Sequence, residues 1–373
     1  MKIAVNKKEL WHALSFVQKT VATRSTLPVL TNIFLKAENG KILLFSTNQE
    51  CSTSIDIPAE IGEAGDITVP AKIFLDISKA ISSIKDEEVF LSSEDGHTVQ
   101  VKAGSYNYLL NGIEGSKYLE FIPDFKPVTQ FDVSGSDLHQ MLGMARLAVS
   151  QDESKPELMG AQTEIKGKMF RMAATDSRRL VVVNKTLPEE IEGEHYFLIP
   201  GRALNDINSF ISEDEPVRIL LNDNGNMVCF EVRNMKFYAR LLDGKFPDYE
   251  GVIPENMGID VKINVDSLRE SLEAVMPIAR ESANIVKLNF SGSTLILESV
   301  SSENGLAKIE MFCEKHGDDF EINFNARFLL DALNSIQDEK IIMSFKSALA
   351  PCVLKSEIHP DDFLWVIMPI RSA

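Results

Sequence analysis

The stretch VPAKIFLDISKAI (Val69–Ile81) reads as the end of a strand followed by a helix, and it returns twice. IPGRALNDINSFI (Ile199–Ile211) and FNARFLLDALNSI (Phe324–Ile336) share its layout position by position. With Pro70, Pro200 and Asn325 as equivalent origins, a cation follows two residues on (Lys72, Arg202, Arg327). An acid comes four further on (Asp76, Asp206, Asp331), then a polar residue after three more (Lys79, Ser209, Asn334). The interleaved positions are apolar: Phe74, Leu204 and Leu329, then Ile77, Ile207 and Ala332, then Ile81, Ile211 and Ile336. Steps of three and four put each set on one helical face. Each copy therefore has a core face and a polar face led by a cation.

A second helix recurs upstream of each copy. Leu10, Leu14, Val17 and Val21 have the spacing of Leu138, Leu142, Ala145 and Val149, and of Leu268, Leu272, Val275 and Ala279. A short alternating strand precedes each (Ile3 and Val5, Phe131 and Val133, Val261 and Ile263), with a residue able to cap the helix at Asn6, Ser134 and Asn264. Pro277 should bend or end the third of these helices. Elsewhere, alternating segments such as GKILLFSTNQECSTSIDI and EVFLSSEDGHTVQVKAG, broken by Asn-Gly and Asp-Gly turns, read as antiparallel strands. Ile122-Pro123, Ile253-Pro254 and Met368-Pro369 close successive thirds. The repeat is about 125 residues long, giving domains at 1–126, 127–256 and 257–373. The fold class is α+β, with two helices packed on antiparallel sheet in each repeat.

Composition narrows the function. Of 373 residues, 44% are apolar and 25% charged, the balance of a water-soluble globular chain. No apolar run is long enough to span a membrane, and MKIAVNKKELWHAL has lysines where a signal peptide needs its apolar core, so a cytoplasmic location without membrane contact is expected. Cys51, Cys229, Cys313 and Cys352 lie far apart with no CxxC or His cluster, so no metal, disulfide or cofactor is expected. The net charge of −17 argues against a polyanion partner. That charge is unevenly spread. Taking the helices as 7–24, 71–85, 136–150, 201–212, 266–281 and 325–337, they hold 12 Lys+Arg against 9 Asp+Glu, and the acidity lies in strands and loops. Lysines on one helix are ordinarily a solvated face. A cation at the start of three equivalent helices can instead hold a phosphate backbone through sequence-independent, salt-sensitive contacts. No recognition helix, zinc finger or RNP-type aromatic pair indicates base readout.

The stretches TLPVLTNIFLKA, ITVPAKIFLDI, AATDSRRLV, FPDYEGVIP and VIMPIRSA, in this order on three repeats, resemble the bacterial DNA polymerase III beta-subunit family, the processivity sliding clamps. The resemblance covers the whole chain. It implies half of a head-to-tail dimeric ring, whose helices line a hole around double-stranded DNA while sheet forms the outside. It implies DNA-facing positions at Arg24, Lys72, Lys79, Gln151 and Arg202.

The family also has a pocket between its second and third domains for short apolar peptides from the replicative polymerase, the clamp-loader ATPase, other polymerases and repair factors. The matching positions begin with Leu158 and the run Thr175, Ser177, Arg178, Arg179 and Leu180. Pro247 and Val252 follow, then Leu349 and Pro351, and finally Val366, Met368, Pro369, Ile370 and Arg371. Leu, Val, Pro and Met make an apolar concavity, and Met adapts to differently shaped ligands. Taken singly, Leu180 and Val252 read equally well as core. Two departures bear on peptide preference: Ser177-Arg178 stands where Gly-His is usual, and the chain ends Ile370-Arg371-Ser372-Ala373 where Leu after Arg is common. For the homodimer, the resemblance points to Tyr108 and Leu109 meeting the region of Pro277 and Ile278 of another copy.

Two other readings compete. An enzyme could use Asp176 beside Arg178 and Arg179 with His12 or His139 as a base, but the chain has no GxGxxG, GxxxxGK[ST] or HExxH motif. A peptide-binding repeat scaffold without DNA encirclement would also suit the net charge.

Overall fold

The computed structural model describes residues 1–85 and 87–371; Ser372 and Ala373, part of the C-terminal departure, lie outside them. Six α-helices alternate with antiparallel strands among these residues: α1 (Lys7–Val17), α2 (Ala71–Ile81), α3 (Gly135–Ala148), α4 (Gly201–Asn208), α5 (Val265–Ala279) and α6 (Ala326–Ser335). By contact the chain forms two compact units, one of 1–135 with 209–241, the other of 136–208 with 242–373.

In the first unit one sheet runs from edge strand Tyr106–Asn111 through Thr98–Ala103, Glu88–Ser92, Lys2–Asn6 and Cys51–Glu63. It continues through Met235–Arg240, Met227–Val232 and Pro216–Asn222 to Pro127–Ser134. The junction is an antiparallel pairing of Ile55 with Met235 and Thr53 with Phe237. Helix α1 lies against α2 and the strands Lys41–Thr47 and Cys51–Glu63.

The second unit holds two sheets. One passes through Gly160–Thr175, Arg179–Pro200, Phe363–Ile367, Cys352–Ser356, Lys340–Phe345, Ile259–Asn264 and Glu314–His316. The other passes through Gly305–Phe312, Thr294–Ser301, Ile285–Ser291 and Phe320–Asn325. Helix α5 packs on α6 and on the strands Thr294–Ser301 and Gly305–Phe312. Sheet pairing thus crosses the sequence thirds: Leu180 of the second pairs with Val366 of the third.

The helical periodicity is realised in the burial. Phe74, Leu204, Leu329, Ile77, Ile207 and Ala332 are all core, as are Leu10, Leu138 and Leu268. Burying each large apolar side chain stabilises by roughly 1.5–3 kcal/mol. Asn6 accepts from Lys8 N–H and Glu9 N–H, and Asn264 accepts from Ser267 N–H, so both cap as expected. Copies one and three of the repeated helix start with Ala71 and Ala326, whereas copy two starts with Gly201. The structure gives the reason. A Cβ at Gly201 would press within 2.6 Å of Val149 Cγ1.

The helices are shorter than expected. Helix α1 ends at Val17 because the chain tightens into a 3-10 turn at Gln18–Thr20. There the buried Thr20 hydroxyl bonds to Ser46 and Thr53. Val21 therefore leaves the helical stripe, and Arg24 lies at a bend in the loop before Pro28. Helix α2 ends at Ile81, where Ser82 Oγ donates to Lys79 C=O at 2.6 Å, so Lys85 is not helical. Helix α4 ends at Asn208, and Phe210 instead stacks on Phe16 at 5.0 Å. Pro277 does not stop α5 at once, because only a last half-turn follows before a 3-10 turn at Arg280–Ser282. No helix among the described residues is long and apolar enough to cross a membrane.

Candidate functional site

The second unit contains a cavity of about 300 Å³ lined by Leu158, Thr175, Leu180, Tyr249, Val252 and Val366. Ser177, Arg178, Arg179, Pro247, Asp248 and Met368 complete it. Ten of the fifteen pocket positions implied by the resemblance are therefore brought together. The other five are not. Leu349 is 69% exposed on the turn at 346–350, with Pro351 half-buried beyond it. Pro369, Ile370 and Arg371 continue past the rim, where Ile370 N–H donates to Asn323 C=O at 2.8 Å. Leu158, Leu180 and Val366 form the buried floor with Ala173, Phe246 and Tyr249, while Val252 and Met368 stand exposed at the lip.

The rim is a tight turn. Thr175 Oγ1 donates to Arg179 C=O at 2.7 Å, and Asp176 Oδ1 accepts from the N–H groups of Arg178 and Arg179. The residue between, Ser177, sits at φ +73°. The first unit contains the same device. Thr47 Oγ1 donates to Cys51 C=O, Asn48 Oδ1 accepts from Glu50 and Cys51 N–H, and Gln49 sits at φ +75°. Beside the first turn, Phe45 packs edge-on against the fully buried Tyr118, which also stacks on Phe34. At the same offset in the second copy Phe45 is matched by Ala173 and Phe34 by Gln162, both smaller side chains.

Charge at the rim is organised around Arg179. Its Nε lies 3.0 Å from Asp176 Oδ2, its Nη1 lies 2.7 Å from Asp331 Oδ2, and its guanidinium is 4.5 Å from the Phe328 ring centre. The Tyr249 hydroxyl donates to Glu164 Oε1 at 3.2 Å, and burial pushes its pKa up to about 12, against the opposing pull of Arg171.

The candidate DNA-facing residues Arg24, Lys72, Lys79, Gln151 and Arg202 are all exposed. Lys72 and Arg202 are second residues of α2 and α4, and Arg327 holds the same place in α6. Lys79 lies further along α2, while Gln151 lies in the loop after α3.

Tyr108 and Leu109 belong to the edge strand Tyr106–Asn111, with Leu109 71% exposed. Pro277 and Ile278 lie at the end of α5, which packs against a second edge strand, Gly305–Phe312. That strand exposes Leu306 and Phe312. Sequence reasoning missed these two, although the alternation of GLAKIEMF (Gly305–Phe312) carries the signal. It also missed Tyr249 and Asp248 in the pocket, and Phe328 and Asp331 behind it.

The described residues form tandem α+β repeats with an apolar pocket in the second unit, and no cluster of metal-ligating side chains is found among them. Models of the DNA polymerase III beta subunit match the chain in three successive pieces: the N-terminal domain over 1–120, the central domain over 132–248 and the C-terminal domain over 250–371. The Staphylococcus epidermidis beta sliding clamp is 30% identical over 383 residues, with all of both chains covered. The Streptococcus pneumoniae DNA polymerase III beta chain superposes with a TM-score of 0.93 at 26% identity, again over both whole chains. The Bacillus subtilis DNA polymerase sliding clamp, at 24% identity and TM-score 0.94 over both whole chains, bears on the fold alone. The chain belongs to the DNA polymerase III beta subunit family.

Proposed function

We infer that the protein is a DNA sliding clamp: a homodimer that encircles duplex DNA without reading its sequence and tethers a replicative polymerase. The observation that carries this reading is the exposed cation at the second position of α2, α4 and α6 (Lys72, Arg202 and Arg327). Repetition of one charge at one helical position suits a partner that is itself a repeating rod of phosphates. Arg24, Lys79 and Gln151 add weak contacts of the same kind. Weak contacts suffice when retention is topological, and they leave the protein free to slide.

The domains are read at 1–126, 127–256 and 257–373. Two edges suit assembly. An exposed edge strand offers unpaired backbone groups, and Tyr106–Asn111 of one copy pairs in this reading with Gly305–Phe312 of the next. Such a contact is heterologous and closes after two copies. The pocket takes short peptides carrying two or three apolar anchors from the polymerase, the loader ATPase and repair factors. Each anchor contributes roughly 1.5–3 kcal/mol. After association costs this gives about micromolar affinity, which suits partners that must exchange. The setting is cytoplasmic.

The reading is tested by extension of a primed circular single-stranded template with the cognate polymerase and loader. Long products per binding event are expected only when this protein is present. Products of unchanged length would overturn the inference.

A further inference from the structure

The outer face of α1 differs from its counterparts in the other two repeats. Trp11, His12 and Phe16 are matched by His139, Gln140 and Met144 in the second copy and by Arg269, Glu270 and Ala274 in the third. The fold therefore does not require aromatic rings there. Trp11 is nonetheless 42% exposed, and it meets no other ring among the described residues. It borders a groove of about 830 Å³ within the first unit, walled by the buried Ile55, Ile57 and Met235. In the same groove His12 meets Phe16 edge-on at 4.8 Å, and Phe16 stacks on Phe210 at 5.0 Å. Lys19 Nζ sits over both phenyl rings, 5.4 and 5.2 Å from their centres, and donates to Ser209 Oγ at 2.6 Å. Lys8 is exposed on the groove, its ammonium without a partner among the described residues. Arg233 pairs with Glu215, and Glu9 is the remaining carboxylate. Cations here outnumber carboxylates three to two, against a whole-chain charge of −17.

We propose that this groove binds a single DNA strand, with Trp11 as the platform for a base and Lys8 and Lys19 as contacts to the flanking phosphates. Every base has a flat π-face, so an aromatic side chain holds a strand without reading its sequence. A duplex hides those faces inside its stack. The site therefore prefers unpaired strand, a choice that phosphate contacts alone do not make. The layout of α1 suits this. Lys8, His12 and Phe16 follow one another at steps of four, and Trp11 lies three from Lys8, so cation and rings share one helical face. An apolar peptide would find the same walls, but the cations beside the rings have their complement in phosphate. The proposal goes beyond the clamp reading and is independent of encirclement, because a short oligonucleotide needs neither ring nor loader.

The chain has two tryptophans, and Trp365 is fully buried, so quenchable emission reports Trp11. An oligothymidylate of about ten nucleotides, within the usual span of one single-strand site, is titrated into the full-length protein at low salt. A duplex and an abasic strand of equal length, dTMP and a short Leu-Phe peptide are titrated in parallel. The oligothymidylate is expected to quench Trp11 emission, and the other four at equal concentration leave it unchanged. Followed by anisotropy of the labelled strand, Trp11→Ala weakens binding about tenfold, the scale of one base stacked on an aromatic ring. Trp11→Phe keeps most of the affinity. Lys8→Gln lowers the salt slope by about one. The proposal is overturned by no quenching with the oligothymidylate, or by equal quenching with the duplex, the abasic strand or dTMP. Quenching by the peptide alone, unchanged affinity in Trp11→Ala, or an unchanged slope in Lys8→Gln would overturn it equally. Primer extension on the circular template reads the clamp function separately, so failure here leaves that reading standing.

Discussion

Arg179 Nη1 lies 2.7 Å from Asp331 Oδ2, an ion pair between residues separated by 152 positions in the chain. It ties the pocket rim to α6. Both side chains are largely shielded, at 11% and 26% exposure, so the pair is stronger than a surface one. Asp331→Ala leaves Arg179 with Asp176 alone and is expected to cost about 1–2 kcal/mol. A double-mutant cycle with Arg179→Ala isolates the coupling. A coupling energy of zero in urea unfolding would contradict the tie.

Ser177 and Gln49 occupy left-handed backbone at φ +73° and +75° in turns with the same hydrogen bonds. A side chain there costs about 1–2 kcal/mol, and glycine's greater freedom when unfolded takes back about 0.5–1 kcal/mol. Ser177→Gly and Gln49→Gly are each expected to stabilise by about 0.5 kcal/mol, read from the urea midpoint. Destabilisation in both would show that the strain is absent.

Much of this architecture was legible in the chain itself, and the reason is periodicity. Phe74, Leu204 and Leu329 repeat because the same helix meets the same kind of sheet three times, and repetition exposes a pattern one copy would hide. Helix ends were less legible. Val21 continues the apolar spacing of α1, yet the buried hydroxyls of Thr20, Ser46 and Thr53 turn the chain away first. Sequence spacing carries no trace of partners so distant. Asp331 was hidden for a related reason: it matches Asp76 and Asp206 and read as one more solvated acid, whereas here it meets an arginine from another repeat. The pocket floor was hidden too: Ala173, small where the first repeat has Phe45, packs there with Phe246 and Tyr249, which no motif announces.

Tyr249 offers a titration. Its phenol is pushed up to about 12 chiefly by burial, from an ordinary value near 10. The folded state thus holds the proton more tightly than the unfolded chain. This contribution to stability is complete below about pH 10 and is lost as pH rises from 10 towards 12. Tyr249→Phe should flatten the fall in stability across that window. An unchanged slope would mean that another group governs it.

The edge strands predict assembly. Leu109 is 71% exposed and Phe312 is 69% exposed, each on the outermost strand of its sheet. Leu109→Lys or Phe312→Lys is expected to weaken self-association at least tenfold in sedimentation equilibrium, with the far-ultraviolet spectrum preserved. Undiminished dimer would move the interface elsewhere.

The most direct measurement of the central claim is retention on DNA of different topology. The protein is loaded by its ATPase onto nicked circular DNA and onto the same DNA made linear, and both are passed through a sizing column in moderate salt. Encirclement predicts that the protein stays with the circle and is lost from the linear form through its free ends. Equal loss from both, or equal retention on both, would contradict it.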